Sequence, residues 1–520
     1  MRRALAMSIW GAMIFLGRPA LGEEITKDTT WPTGEVREVP EDLLVAFGVV
    51  LTIEPGVAVR MGAGISITVA GTLVARGTEE APIRFLPAGD DADAPRWGSL
   101  IFEDGATDAV FAGVDGYVSG SILEFCELRS GTRAVRLTGA SPYVHRCLFT
   151  DNRTAPAFTP PGGGAILVEG GSVARIRSCN FQDNEAELVA WGGAIYVDTS
   201  DPILQDNVFT GNRAVYGGAL ATDRMASPIV GNVFTGNEAH ESKGGGASLV
   251  STVSAFLNNT LTGNHARQDG GGVHVCVDCD PHAAPAFFDN EIAENTSEDP
   301  DPHHGAAGLG AAFLRAFLDN GIHGNLRLGD PSNFGWFHDP AVVGSYPDWV
   351  RNPSIAGNWW GTDDPSAAGI FDGSGAADFG VVEVTPVLDA APGPAKPRVV
   401  ISTRRLRYAT PDEAIPVFLT LYNPGAAREV ELLILRERGG TPPVPWRGDT
   451  GFPGVVIEGG RHRLTLPENA VFFRVIAEVP RPAEPTEAYG VWHAALFDAA
   501  TGERIGAVMT TRFDLDGEVH

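Results

Sequence analysis

A chain of 520 residues with a net charge of −27 and only three lysines (Lys27, Lys243 and Lys396) lacks the positive footprint that nucleic acid or an anionic membrane requires. The same charge disfavours a bare polyanionic sugar unless a divalent cation bridges the two. Glycine, at 64 residues, stands well above the ~7% of average usage and favours tight turns between strands over long helices.

The chain opens with Arg2 and Arg3, an apolar run from Ala4 to Gly17, and small residues at Ala20 and Gly22. This is the layout of a secretory signal peptide over residues 1–22, so a secreted, periplasmic or cell-surface protein is expected. The apolar run is too short for a transmembrane segment, and no later stretch approaches the roughly 20 apolar residues of one.

From residue 126 a pattern recurs. Phe149, Phe181, Phe209 and Phe234 are each followed three positions later by Asn152, Asn184, Asn212 and Asn237. Leu261, Ile292 and Ile322 then take the Phe place ahead of Asn264, Asn295 and Asn325. Successive Asn residues lie 32, 28, 25, 27, 31 and 30 apart. Glycine pairs keep step at Gly163-Gly164, Gly192-Gly193, Gly217-Gly218, Gly245-Gly246 and Gly271-Gly272. A further slot two residues before the Phe place holds Cys147, Cys179, Asn207, Asn232, Asn259, Asn290 and Asn320.

Self-similarity at this period denotes a solenoid, a propeller or a helical array. The alternation in Asn207-Val208-Phe209-Thr210 excludes helices, and the repeat is too short for the four strands of a propeller blade. Two or three short strands per turn remain, which predicts a parallel β-helix. Its coils would lie about 4.8 Å apart, with Phe stacked on Phe and Asn amides in an in-register ladder. Cys126, Cys147 and Cys179 share one slot, where parallel thiols read as buried and free rather than bridged.

The Gly-Gly-Ala-[Ile/Leu] and Phe-x-x-Asn elements resemble the repeats of the polymorphic outer membrane protein family. The resemblance implies a right-handed parallel β-helix of the pectin-lyase-like superfamily. "LTIEPGVAVRMGAGISITVAGTLVARGTEEAPIRF" (Leu51–Phe85) and "RWGSLIF" (Arg96–Phe102) are similar to the first coils of such proteins. "GNWWGTDDPSAAGIFDG" (Gly357–Gly373) is similar to a last coil. The resemblance spans Trp31 to Ala390. The superfamily contains polysaccharide lyases, uronate epimerases and glycoside hydrolases, so the resemblance implies that paired carboxylates, or a base with a bound cation, would mark an active site.

Asp289 and Asp319 occupy matching slots of neighbouring coils, each just before its ladder Asn and predicted to point outward. They are catalytic candidates with His303 and His304. The competing reading is a solvated pair. Asp280-Pro281-His282 and Asp301-Pro302-His303 resemble the Asp-Pro-His-Asp signature of mannuronan epimerases without its final Asp. His274, Cys276, Cys279 and His282 have the spacing of a tetrahedral zinc site. A Cys276–Cys279 disulfide competes in an exported protein. A divalent cation, Ca²⁺ or Zn²⁺, is thus the cofactor that these residues raise.

Beyond a Pro-rich linker at residues 391–397, alternating runs such as Val417–Tyr422 and Val471–Val479 predict a small Ig-like β-sandwich over residues 398–520. The architecture expected is all-β, a right-handed parallel β-helix over residues 31–390 followed by that sandwich. The function expected is non-catalytic and adhesin-like, an extended surface for polysaccharide or surface protein. A lyase, epimerase or hydrolase working in a surface groove, and a passive extracellular scaffold, are the alternatives. Thr150, Thr210, Thr235 and Thr262 are expected in an outward, interrupted row, which β-propensity on a solvated strand also explains.

Overall fold

The computed structural model describes residues 22–514 apart from 90–93, 114–115, 155–161, 188–189, 276–283, 300–305, 312–313, 315, 337–357, 363–369, 372–387, 389, 404–414, 439–442, 447, 450–455, 458–459 and 480–488. Residues 1–21, and with them nearly all of the expected signal peptide, lie outside this set, as do Cys276, Cys279, His282, His303 and His304. Among the described residues there is no helix, and hence none long and apolar enough to cross a membrane.

The chain coils through long parallel sheets. Sheet A has 13 strands, from Glu23–Ile25 to Ile370–Phe371. Sheet B has 11, from Thr29–Trp31 to Ala316–Leu318, and sheet C has 11, from Val36–Val39 to Gly321–His323. From Arg153–Thr154 onward a fourth sheet, D, adds a two-residue strand to each coil. The sequence pattern had allowed three strands per coil at most. The extra strand has a buried alanine as its second residue in four successive coils (Ala186, Ala214, Ala239, Ala266). Its outward positions alternate in sign. Arg153 and Arg213 both pair with Glu185, and Arg213 also pairs with Glu238. Like charges stacked at the coil spacing would repel, and alternation removes that repulsion.

Stacking is in register. Phe149, Phe181, Phe209, Phe234, Leu261, Ile292 and Ile322 are successive Cα partners. The first four rings lie 4.7–4.9 Å apart with planes within 9° of parallel. All are fully buried.

Two Asn ladders run beside them. In the first, each of Asn152, Asn184, Asn212, Asn237, Asn264 and Asn295 donates its backbone N–H and its Nδ2 to Oδ1 of the next Asn, at 2.9–3.1 Å. The second joins Asn207, Asn232, Asn259, Asn290, Asn320 and Asn358 in the same way. Every amide in the interior of these ladders is satisfied by another, so the polar corners can be buried without penalty.

The glycine pairs need one adjustment. Gly192 adopts φ 66°, and a Cβ on Gly193 would strike the carbonyl oxygen of Gly218 one coil on. In the fourth and fifth copies the equivalent pairs are Gly244-Gly245 and Gly270-Gly271, not Gly245-Gly246 and Gly271-Gly272. Gly244 and Gly270 carry the positive φ, while Gly246 and Gly272 take the place of Ala194 and Ala219.

From Arg398 the strands are antiparallel. Arg398–Thr403, Ile415–Tyr422 and Val471–Val479 form one sheet. Arg428–Arg438, Arg461–Leu466, Tyr489–Asp498 and Arg504–Asp514 form the body of another. Ile401, Leu419, Leu432, Trp492 and Leu496 of the two sheets share one apolar cluster, as the two layers of a sandwich would. That cluster extends onto the outward face of sheet B through Leu257, Ala286 and Phe288. The C-terminal sheets therefore pack against the side of the coils.

Candidate ligand-binding face

The paired carboxylates occupy a docking joint. Asp289 and Asp319 have φ 58° and 57°, and the equivalent residues Ser178, Asp206, Gly231 and Asn258 are also left-handed, at 52–64°. The slot selects residues that tolerate this turn. Arg398 of the C-terminal sheets reaches across and holds both acids. Its Nε and Nη2 donate to Asp289 at 2.7 Å each, and Nη2 donates to Asp319 at 2.6 Å. The guanidinium also covers the Phe288 ring at 5.0 Å. Side-chain exposure is 4% for Arg398 and 5% for Asp289, so Arg398, rather than water or a cation, stands between the two carboxylates. Burial pushes Asp289 up, against the pull of the guanidinium.

His274 lies on sheet A with its side chain outward, in register with Ser248 and Gly310. It is buried, and its Nε2 is 3.9 Å from Oδ2 of Asp269, which is also buried. The carboxylate of Asp269 lies where a side chain at position 310 would sit, and glycine there makes the room. The His274 side chain and the Ser248 hydroxyl have no hydrogen-bond partner among the described residues, and the Asp269 carboxylate has only the nearby backbone amides of Gly270 and Ala306 to favour its ionised form locally. Burial raises the Asp269 carboxyl to about 8 and lowers the His274 imidazole well below its ordinary range. No group of three or more potential ligands for a metal ion occurs among the described residues. The remaining members of the zinc or disulfide set, Cys276, Cys279 and His282, lie outside them.

Cys126, Cys147 and Cys179 are free and buried. Their sulfurs donate to backbone carbonyls such as Ala75, Leu123 and Val144. Burial pushes the Cys126 and Cys179 thiols up, which keeps them inert.

What lies open is the outward face of sheet C. On sheet A the outward Leu167, Tyr196, Ala221, Ser248 and His274 are buried, the first three against Trp191. On sheet B the C-terminal sheets cover one end, and the hairpin of Val110–Ala112 and Gly116–Ser119 packs Phe111 on Tyr143 near the other. Sheet D carries its charge ladder.

On sheet C, two parallel rows face outward over five coils. One is Leu148, Asn180, Val208, Val233 and Thr260; the other is Thr150, Gln182, Thr210, Thr235 and Thr262. None of these side chains is buried, and none is charged. The expected Thr row is therefore present, with Gln182 as its interruption.

The rows end at a different chemistry. Glu291 follows Thr260, and His323 follows Ala293 one coil on. Trp359 pairs with Gly321, which sits between it and Glu291. Glu291 Oε1 and His323 Nε2 are hydrogen-bonded, and the His323 ring lies 4.7 Å from the indole. Glu291 and His323 flank Ile292 and Ile322, which the repeat pattern already aligns, so their outward positions are readable from the sequence while their approach to Trp359 is not.

The family model described as "Right handed beta helix region" matches residues 100–266. With the parallel sheets it establishes that the chain contains a right-handed parallel β-helix. Among curated proteins none matches this chain.

Proposed function

We propose that this protein is exported and binds carbohydrate without cleaving it, holding an extended, uncharged polysaccharide chain along the outward face of sheet C. One observation carries the reading. A protein of net charge −27 leaves ten successive outward positions of its open sheet without a single charge, where ordinary surfaces place roughly a quarter to a third charged residues. Hydroxyl, amide and methyl groups repeat there at the coil spacing of about 4.8 Å. Such a face offers weak, evenly spaced contacts to a long polymer, and their sum gives avidity.

The enzyme alternative at Asp289 and Asp319 has less support, because Arg398 is hydrogen-bonded to both and Asp289 is buried beneath the C-terminal sheets. Affinity measurements with neutral, uronate and amino-sugar oligosaccharides test the proposal. Wild-type protein should retain neutral chains, and Thr210→Lys with Thr235→Lys should weaken that retention at least tenfold without altering the fold. Retention untouched by both lysines, or depolymerisation of any chain in the panel, would count against it. A panel with no hits would favour a passive scaffold.

A further inference from the structure

We infer that Glu291, His323 and Trp359 form the end subsite of this face, taking a neutral pyranose unit and rejecting a uronate. The inference rests on the carbohydrate reading above and names the sugar class within it.

Three groups of different chemistry meet where the uncharged rows stop. Glu291 and Trp359 stand in one column with Gly321 between them. A Cβ at Gly321 would collide with the Glu291 carboxylate and come within 3.6 Å of the indole Cε3. Glycine at this rung therefore leaves the space that the Glu291 carboxylate occupies beside the indole. His323 closes the third side, hydrogen-bonded to Glu291 and tilted 58° against the indole. The side chains of His323 and Glu291 remain 28% and 39% exposed, and Trp359 is half-buried. All three are accessible yet held in place.

The backbone under them is rigid. Asn290, Asn320 and Asn358 of the second ladder stand immediately before the strand residues Glu291, Gly321 and Trp359. Preorganisation of this kind lowers the ordering cost of binding.

The donor and acceptor pattern fits a sugar. An indole offers an apolar surface to the C–H groups of a pyranose ring. A carboxylate accepts two hydroxyl hydrogens, and imidazole supplies a donor or an acceptor beside it. A ligand carboxylate would meet Glu291 at a few ångströms with like charge, which costs affinity. The neutral rows and this end subsite therefore select the same polymer.

The test uses the full chain, short neutral oligosaccharides, their uronate counterparts and hydroxyl-radical footprinting. Neutral oligosaccharides should protect Trp359 from oxidation, and Trp359→Ala should weaken their binding about tenfold. Glu291→Gln keeps the shape and removes only the charge. It should weaken neutral sugars several-fold and strengthen uronates, a change of opposite sign that a merely structural role would not produce. If neutral chains bind and respond to Thr235→Lys while Trp359→Ala and Glu291→Gln change nothing, the end subsite is refuted and the face survives. Preference of the wild type for uronates also refutes it. If no oligosaccharide binds the wild type, both readings fall together.

Discussion

Asp269→Asn should stabilise this protein, and by an amount that depends on pH. The Asp269 carboxyl is fully buried on the outward side of sheet A, and burial raises it from 3.8 to about 8. The charged groups acting on it are Lys243, which favours its ionised form, and Asp299, which opposes it. His274 beside it is held neutral by burial and, secondarily, by Lys243.

A carboxyl whose folded value is raised adds no penalty below its unfolded value. It costs stability progressively as pH rises from about 4 to about 8, because the unfolded chain releases a proton that the folded chain retains. Each pH unit in that window is worth ~1.4 kcal/mol. From pH 5 to pH 8 the wild type should therefore lose roughly 4 kcal/mol relative to the Asp269→Asn variant, which has no proton to lose. Above about pH 8.5 the gap should level off.

Urea unfolding at half-unit pH steps reads the difference. Hydrogen exchange over residues 265–275 localises it, since a solenoid need not unfold in one step. A difference that stays constant from pH 5 to pH 9 would show that Asp269 is ionised throughout, and the account of its burial would be refuted.

Other perturbations probe the stack and the joint. Asn212→Ala removes the acceptor of the Asn184 backbone N–H and Nδ2 and the donor to the Phe181 carbonyl. At about 1–3 kcal/mol for each buried group left unpaired, the loss in urea unfolding should be roughly 3–6 kcal/mol, whereas Thr210→Ala on the exposed face should cost under ~0.5 kcal/mol. Phe209→Ala opens a cavity between two stacked rings and should cost about 3–5 kcal/mol in the same assay. Arg398→Met strands Asp289 and Asp319 at the joint and should loosen the C-terminal sheets by about 3–5 kcal/mol, seen as faster proteolysis near residue 398. Adding Asp289→Asn and Asp319→Asn should recover most of that loss, and failure to recover would mean that the triad is not what holds the joint.

Much of the coil was legible because each repeated residue answers a local demand. Phe181, Phe209 and Phe234 must be equivalent for rings to stack, and Asn184, Asn212 and Asn237 must be equivalent for amides to pair, so both columns stand in the linear sequence. The glycine pairs were read one residue out at Gly244 and Gly270 because three glycines in a row hide which one carries the positive φ.

Asp289 and Asp319 were singled out for their charge, but the slot is a left-handed turn that Asp, Asn, Ser and Gly fill alike. Their partner Arg398 lies 79 residues beyond Asp319, on a sheet whose docking against sheet B no repeat encodes. The Asp269–His274 contact joins a corner residue to an outward position of sheet A, and it appears only when the corner leading into sheet A is placed against the neighbouring coil. Glu291, His323 and Trp359 were hidden differently, since they become neighbours only through Gly321, which has no side chain to flag.

A crystal of the full chain grown with a neutral oligosaccharide tests the central claim most directly. Sugar density should lie along Thr210, Thr235 and Thr262 and run toward Trp359. Density confined to another face, or none at sugar concentrations that saturate binding in solution, would contradict it.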